Sequence, residues 1–211
     1  MNLLHVISSP RKQRSASLEA ATAFTDAWRA SNPHGVIDTL NVWEIDLPPF
    51  DGAALEAKYA GLEGKERTPD QKAAWAKIEA LAGYFQRAEL IVFSVPMWNF
   101  GIPYRLKHLI DAISHKDVLF TFDERGLLGL LGGKTVVVIA ARGAYLGGDY
   151  PVEDFDHHTA YIATWCRMVG IKEVHTISIE KTLFGPEADQ AARVKARIEA
   201  IALAKSIGRL I

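Results

Sequence analysis

Five short, largely apolar runs alternate along this chain with longer stretches of helical spacing. No other feature limits so strongly what it can fold into. The runs cover residues 3–7, 36–42, 89–95, 134–141 and 174–179. In the fourth, Val136 to Ala140 are five aliphatic residues in a row, and the third reads Glu-Leu-Ile-Val-Phe-Ser-Val. Near-continuous apolar strands are buried on both faces, as in parallel sheets, and parallel strands need crossovers long enough to hold a helix. Between the runs, Leu18, Ala21, Phe24, Thr25 and Trp28 recur at helical spacing over 15–30. Thr68-Pro69-Asp70-Gln71 is a capping box with proline at the first helical position, and it predicts a helix over 69–87. Further helices are expected over 103–114, 152–169 (ended by Gly170) and 186–207. Residues 43–68 read as a long loop with one short helix at 53–59, and 118–123 as a small inserted hairpin. The pattern implies an α/β fold: a doubly wound five-stranded parallel sheet in one domain over 1–211.

Composition narrows the function classes. With 24 basic and 25 acidic residues, the net charge of −1 gives no nucleic-acid footprint. No apolar run approaches the length of a membrane span, and the N-terminal residues read as a first strand rather than a signal peptide. A single cysteine, Cys166, rules out an intrachain disulfide and is compatible with a cytoplasmic location. It sits in a helical pattern and reads as a packed thiol. The seven histidines suggest no metal site. His157 and His158 are adjacent on an expected helix and point apart, and nearby Asp154 and Asp156 read as a solvated acidic face. His5 reads as a packed histidine.

Open α/β sheets bind ligands beyond the carboxyl ends of their strands, where strand order reverses. For an order of 2-1-3-4-5 that point lies between strands one and three. Three unusual loops leave strands one, three and four. The first runs from Ser8 to Ser17 and matches neither a dinucleotide-binding nor a triphosphatase glycine pattern. It offers hydroxyls, basic side chains and a helix start, which suit a phosphate monoester; alternatively Ser15 or Ser17 simply caps the helix. The second, Met97-Trp98-Asn99-Phe100, sets two aromatics at a strand end before Pro103. It can line a flat heteroaromatic ring, or pack as a turn. The third, Arg142-Gly143-Ala144-Tyr145, lets the backbone approach a ligand. Its arginine either neutralises a reduced ring or substrate anion, or pairs with Asp149 or Glu153.

Taken together, these segments resemble the FMN-dependent NADH-azoreductases, relatives of the NAD(P)H:quinone oxidoreductases in the flavodoxin-like superfamily. The resemblance rests on Ser9 with Ser15-Ala16-Ser17, on Pro96-Met97-Trp98-Asn99-Phe100, on Ala141-Arg142-Gly143-Ala144, and on Phe184-Gly185-Pro186-Glu187. It spans essentially the whole chain and implies a flavodoxin-like sheet of order 2-1-3-4-5. It implies FMN as cofactor, with Ser9, Ser15, Ala16 and Ser17 on the phosphate. Pro96 and Met97 to Phe100 would line the ring, and Ala141, Arg142, Gly143 and Ala144 would close its pyrimidine side. Phe120 and Phe122, Trp165 and Met168 would form the substrate pocket. Ala141 and Ala144 stand where the family more often shows Ser and Gly, and the 53–68 segment is longer than usual.

The implied function is an NADH- or NADPH-driven reductase of quinones or azo compounds, working by ping-pong hydride transfer at flavin N5 with no catalytic side chain. A homodimer with the flavin near its interface is implied as well. The rival reading is a flavodoxin-type electron carrier without reductase activity of its own.

Overall fold

A computed structural model describes residues 1–207, so the expected 1–211 unit extends past the described chain. Among these residues the strands are β1 (Asn2–Ile7), β2 (Val36–Asn41), β3 (Leu90–Pro96), β4 (Phe120–Asp123), β5 (Gly126–Gly129), β6 (Thr135–Ala141) and β7 (Glu173–Ile179). The helices are α1 (Ala16–Ser31), α2 (Gly52–Leu62), α3 (Pro69–Arg87), α4 (Tyr104–Ile113), α5 (Val152–Phe155), α6 (Thr159–Met168) and α7 (Pro186–Ile207). The core sheet is fully parallel in the order β2-β1-β3-β6-β7, which is the expected 2-1-3-4-5 among core strands. β4 and β5 pair antiparallel as a separate hairpin.

Strand alternation sorts the side chains onto two buried faces. Leu3, Leu90, Val92, Val137 and Ile139 meet Ala20, Phe24 and Trp28 of α1 and Ala196 and Ala200 of α7. Leu4, Val6, Ile91, Phe93 and Val138 meet Ile78 and Phe85 of α3, Leu106 and Leu109 of α4, and Trp165 of α6. Phe24, Trp28, Phe85 and Phe93 are wholly buried, each contributing roughly 1.5–3 kcal/mol of transfer free energy. Small alanines on α1 and α7 let those helices sit close, and aromatic side chains fill both faces.

The local signals hold where the chain carries a cap. Thr68 Oγ1 accepts from Gln71 N at 3.3 Å and Gln71 Oε1 from Thr68 N at 3.0 Å, closing the expected box at α3. Two expectations need correction. The short helix expected at 53–59 runs over Gly52–Leu62, because Ala54 and Ala57 bury a stripe against α3 that periodicity alone understates. The single helix expected over 152–169 is two helices, α5 and α6. Asp156 breaks it: its Oδ1 accepts the backbone N–H of His158 at 3.1 Å and of Thr159 at 2.8 Å, competing with the helical ladder.

Candidate functional site

Sheet register brings the three loops to one rim. Ile7 lies opposite Ser94, and Pro96 opposite Ala141. Beyond those pairs the ladder continues: Ser8 N–H donates to Ser94 O at 3.1 Å and Met97 N–H to Ala141 O at 2.7 Å. The loops after β1, β3 and β6 therefore leave neighbouring strands at the same edge.

The first loop turns through a 3₁₀ segment, Lys12–Arg14, before α1. Ser9, Ser15 and Ser17 are buried. Ser15 is the N-cap, its Oγ accepting Leu18 N–H at 3.2 Å and lying 3.2 Å from Ser17 Oγ. Capping thus does occur, but it commits one lone pair. The N–H groups of Ala16 and Ser17, in the first turn, are not tied into the helix, and Ser9 Oγ accepts only a long 3.4 Å bond from Arg11 N–H. The result is a helix start with free donors and clustered hydroxyls.

The second loop is a two-residue hairpin. Trp98 and Gly101 exchange both backbone hydrogen bonds at 2.9 Å, with Asn99 at φ 50° and Phe100 at φ 67° between them. Two positive φ values define a type I′ turn, which favours Asn-Gly; a phenylalanine there is strained by about 1–3 kcal/mol. Aromatic packing holds it. Phe100 stands 5.1 Å from Phe155 and 6.3 Å from Tyr150, ring centre to ring centre. On the other flank, Trp43 lies 5.7 Å from Trp98 and donates its indole N–H to Ser8 O at 3.0 Å. The turn leaves the N–H groups of Asn99 and Phe100 without internal partners.

The third loop is pinned from beneath. Arg142 is 7% exposed, and its guanidinium pairs with Asp156 at 3.2 Å and Glu180 at 2.9 Å. Its sequence-expected partners, Asp149 and Glu153, take no part among these pairs, because the helix break turns Asp156 inward instead. Asp156 is accordingly buried rather than part of a solvated acidic face. Burial by itself would raise the Asp156 carboxyl; hydrogen bonds from Thr159 and His158 and the Arg142 charge outweigh it and hold it below the usual carboxylate range. With its guanidinium so engaged, Arg142 acts through the backbone it positions. A Cβ on Gly143 would lie 2.5 Å from Leu183 Cδ1, an exposed side chain free to move aside, so this packing alone does not require the glycine. The N–H groups of Gly143 and Ala144 are free.

The remaining expected residues separate. A cavity of about 400 Å³ is lined by Phe120, Trp165 and Met168. Trp165 is nonetheless mostly core: it packs 5.9 Å from both Phe85 and Phe93 and donates its indole N–H to Ser114 Oγ at 2.9 Å. Phe122 is exposed on the hairpin, 5.6 Å from Phe120 and outside that lining.

A family model described as a flavodoxin-like fold matches residues 1–203. The chain belongs to that family. It is 51% identical, over 98% of its length and 99% of the other's, to FMN-dependent NADH:quinone oxidoreductase 2 of Pseudomonas syringae pv. tomato. It is 44% identical, over 97% of its length and 96% of the other's, to FMN-dependent NADH:quinone oxidoreductase 3 of Pseudomonas fluorescens. An FMN-dependent NADH-azoreductase from Bacillus anthracis str. Ames Ancestor, solved in complex with FMN, superposes with a TM-score of 0.85 at 23% identity, over 96% of this chain and 99% of that one. At that identity the superposition speaks for the fold alone.

In this member of the family several titratable groups are structural. Burial lowers the pKa of His5 to about 4, and its Nε2 lies 3.1 Å from Ser94 Oγ in the core. Burial likewise lowers His158 to about 4, while His157 is exposed, so the pair does point apart as expected. Among the described residues no cluster of metal-ligating side chains forms. Burial pushes the Cys166 thiol up to about 12, which leaves it inert. Sequence reasoning missed Trp43 and the Phe100–Tyr150–Phe155 cluster. The one signal available was a tryptophan just beyond the second strand, a position from which a side chain can reach across a rim.

Proposed function

We propose that this chain is an FMN-dependent NADH oxidoreductase that reduces quinones, azo compounds or both. The observation that carries it is the convergence of uncommitted backbone N–H groups from three adjacent loops, beside buried serine hydroxyls at a helix start. Those donors fit the group. A phosphate finds Ser9, Ser15 and Ser17, the free N–H groups of Ala16 and Ser17, and the positive end of α1. A flat ring with polar edges finds Met97 to Phe100 on one side and the N–H groups of Gly143 and Ala144 on the other. When bound, FMN supplies the two-electron chemistry linking nicotinamide to acceptor.

The chain's part is placement and electrostatics. The strained turn leaves the Asn99 and Phe100 N–H groups without internal partners, fixed in place before any reaction. The braced third loop does the same for Gly143 and Ala144. N–H donors at a ring edge favour negative charge there, which is the charge reduction creates. Trp98, 37% exposed, and Tyr104 form an aromatic flank on which a nicotinamide or acceptor can lie. No side chain is assigned a covalent role.

A flavodoxin-type carrier is set aside, because the relatives matching nearly the whole chain are named as oxidoreductases of quinones. We further read 1–211 as one domain, acting in the cytoplasm as a homodimer with the flavin near the subunit interface and the β4–β5 hairpin covering it. Exposed Phe122 and Leu127 on that hairpin and Leu130 just beyond it support the dimer reading. No helix among the described residues is long and apolar enough to cross a membrane.

The test is the visible spectrum of the purified protein after FMN addition, before and after anaerobic NADH. A bound-flavin spectrum that bleaches with NADH and returns with a quinone is expected. A protein that takes up no FMN, or holds it without bleaching, overturns the reading; NADPH run in parallel sets the donor preference.

A further inference from the structure

A cavity of about 830 Å³ begins at Trp98 and Asn99 and runs past Tyr104 to Asp111 and Tyr161. The 400 Å³ cavity at Phe120 continues it, the two sharing Phe50, Asp111 and Tyr161. They form one trough that leads away from the rim, and its far end is walled by Phe50, Ile110, Phe120, Trp165 and Met168.

Two polar groups at that far end have no hydrogen-bond or ion-pair partner among the described residues, although Lys58 Nζ lies 5.8 Å from the Tyr59 ring centre. Lys58, half-buried on α2, lines the cavity and has no carboxylate within 4 Å among the described residues. His115 is 2% exposed, stacked 5.3 Å from Phe50 and 5.2 Å from Trp75, and neither ring nitrogen has a hydrogen-bond partner. Burial first, and the Lys58 ammonium second, lower its pKa to about 4, so the ring is neutral near pH 7. A contact with the Ala112 backbone acts the other way without the geometry of a hydrogen bond. The other charges cancel: Lys107 Nζ bridges both Asp111 oxygens at 2.7 Å. The trough as a whole thus carries one excess positive charge (Lys58 and Lys107 against Asp111), and its aromatic-walled far end holds Lys58 and unfilled hydrogen-bonding capacity.

We propose that this trough selects aromatic acceptors bearing an acidic group, a carboxylate, sulfonate or phenolate, with Lys58 pairing the anion while the rings lie against the aromatic walls. The proposal rests on the oxidoreductase reading above. It gives the long 43–68 segment a role, because α2 is the element that carries Lys58 to the cavity. Neutral acceptors use the same walls and gain nothing from the ammonium.

The test compares 1,4-naphthoquinone-2-sulfonate with 1,4-naphthoquinone as acceptors for the FMN-loaded protein. Lys58→Gln is expected to raise KM for the sulfonate about 5-fold, the worth of a partly screened ion pair, and leave KM for the neutral quinone within about 2-fold. Lys58→Arg restores the difference. Quenching of tryptophan fluorescence by naphthalene-2-sulfonate, which takes up no electrons, is expected to weaken by a similar factor in Lys58→Gln, with or without FMN. If Lys58→Gln treats both quinones alike while NADH still bleaches the flavin, this inference falls and the oxidoreductase reading stands. If NADH does not bleach wild-type flavin, the oxidoreductase reading falls, and the fluorescence titration alone decides whether the trough binds anions.

Discussion

The loops after β3 and β6 present backbone donors at the same rim by opposite means. The turn at 98–101 has no charged group in it and is held in left-handed conformations by aromatic contacts to Tyr150, Phe155 and Trp43. The loop at 142–146 has ordinary backbone angles at Arg142 to Tyr145 and is held by a buried guanidinium between two carboxylates. One loop stores strain and the other stores charge. The contrast shows that pre-organisation does not need a particular interaction, only one too costly to rearrange. It also predicts that the two loops fail differently.

The largest expected effect tests the charged loop. Arg142→Met leaves Asp156 and Glu180 facing each other with no cation, and removing one member of a buried pair costs about 3–5 kcal/mol. Because Glu180 keeps 27% side-chain exposure, the loss should lie at the lower end of that range. Urea unfolding measures it, and a midpoint unchanged from wild type would show that the brace carries nothing. Next comes Phe100→Ala, which removes two aromatic contacts worth about 0.5–1.5 kcal/mol each. Its cost should appear as about 1–3 kcal/mol of folding stability together with weaker FMN retention; unchanged FMN retention would show that the turn needs no aromatic prop.

Acid sharpens the comparison further. His158, behind the charged loop, is neutral in the fold with a pKa lowered to about 4, against 6.5 when unfolded. A lowered folded pKa means that the unfolded state binds the extra proton, so stability falls as pH drops from 6.5 toward 4. At pH 5.5 the cost is about 1.4 kcal/mol for each such histidine, His5 and His115 included. Asp156 adds nothing in that window; its lowered carboxyl gives stability that persists above the ordinary carboxylate pKa and is lost only in stronger acid. Urea midpoints at pH 7 and 5.5 for wild type and His158→Gln check this, and the variant should lose less on acidification. A midpoint independent of pH would remove the histidine account. The smallest effect belongs to Asn99→Gly. Glycine relieves the left-handed strain but loses more chain entropy, so stability should change by less than about 1 kcal/mol. A larger loss would mean that the asparagine side chain, not the turn geometry, matters.

Much of this was readable beforehand. Short-range signals came through intact: Thr68 and Gln71 close the box they spell out, Ser15 caps α1, and Gly170 takes the positive φ that ends its helix region. Misreadings arose where a side chain's partner was distant in sequence. Asp156 read as part of a solvated helix face because nothing local reveals Arg142, fourteen residues earlier, or Glu180 on the far side of β7. Trp43 was invisible for the same reason, since its hydrogen bond goes to Ser8.

By itself the sequence determined the strands and the crossovers, because apolar periodicity and caps act within a few residues; the strand order, and with it the edge on which the three loops open, came from the family resemblance. Only the tertiary structure decided what each loop does there. Which carboxylate faces Arg142, which ring props Phe100 and which cavity Lys58 enters depend on contacts between segments far apart in the chain, and short-range pattern carries no record of those distances.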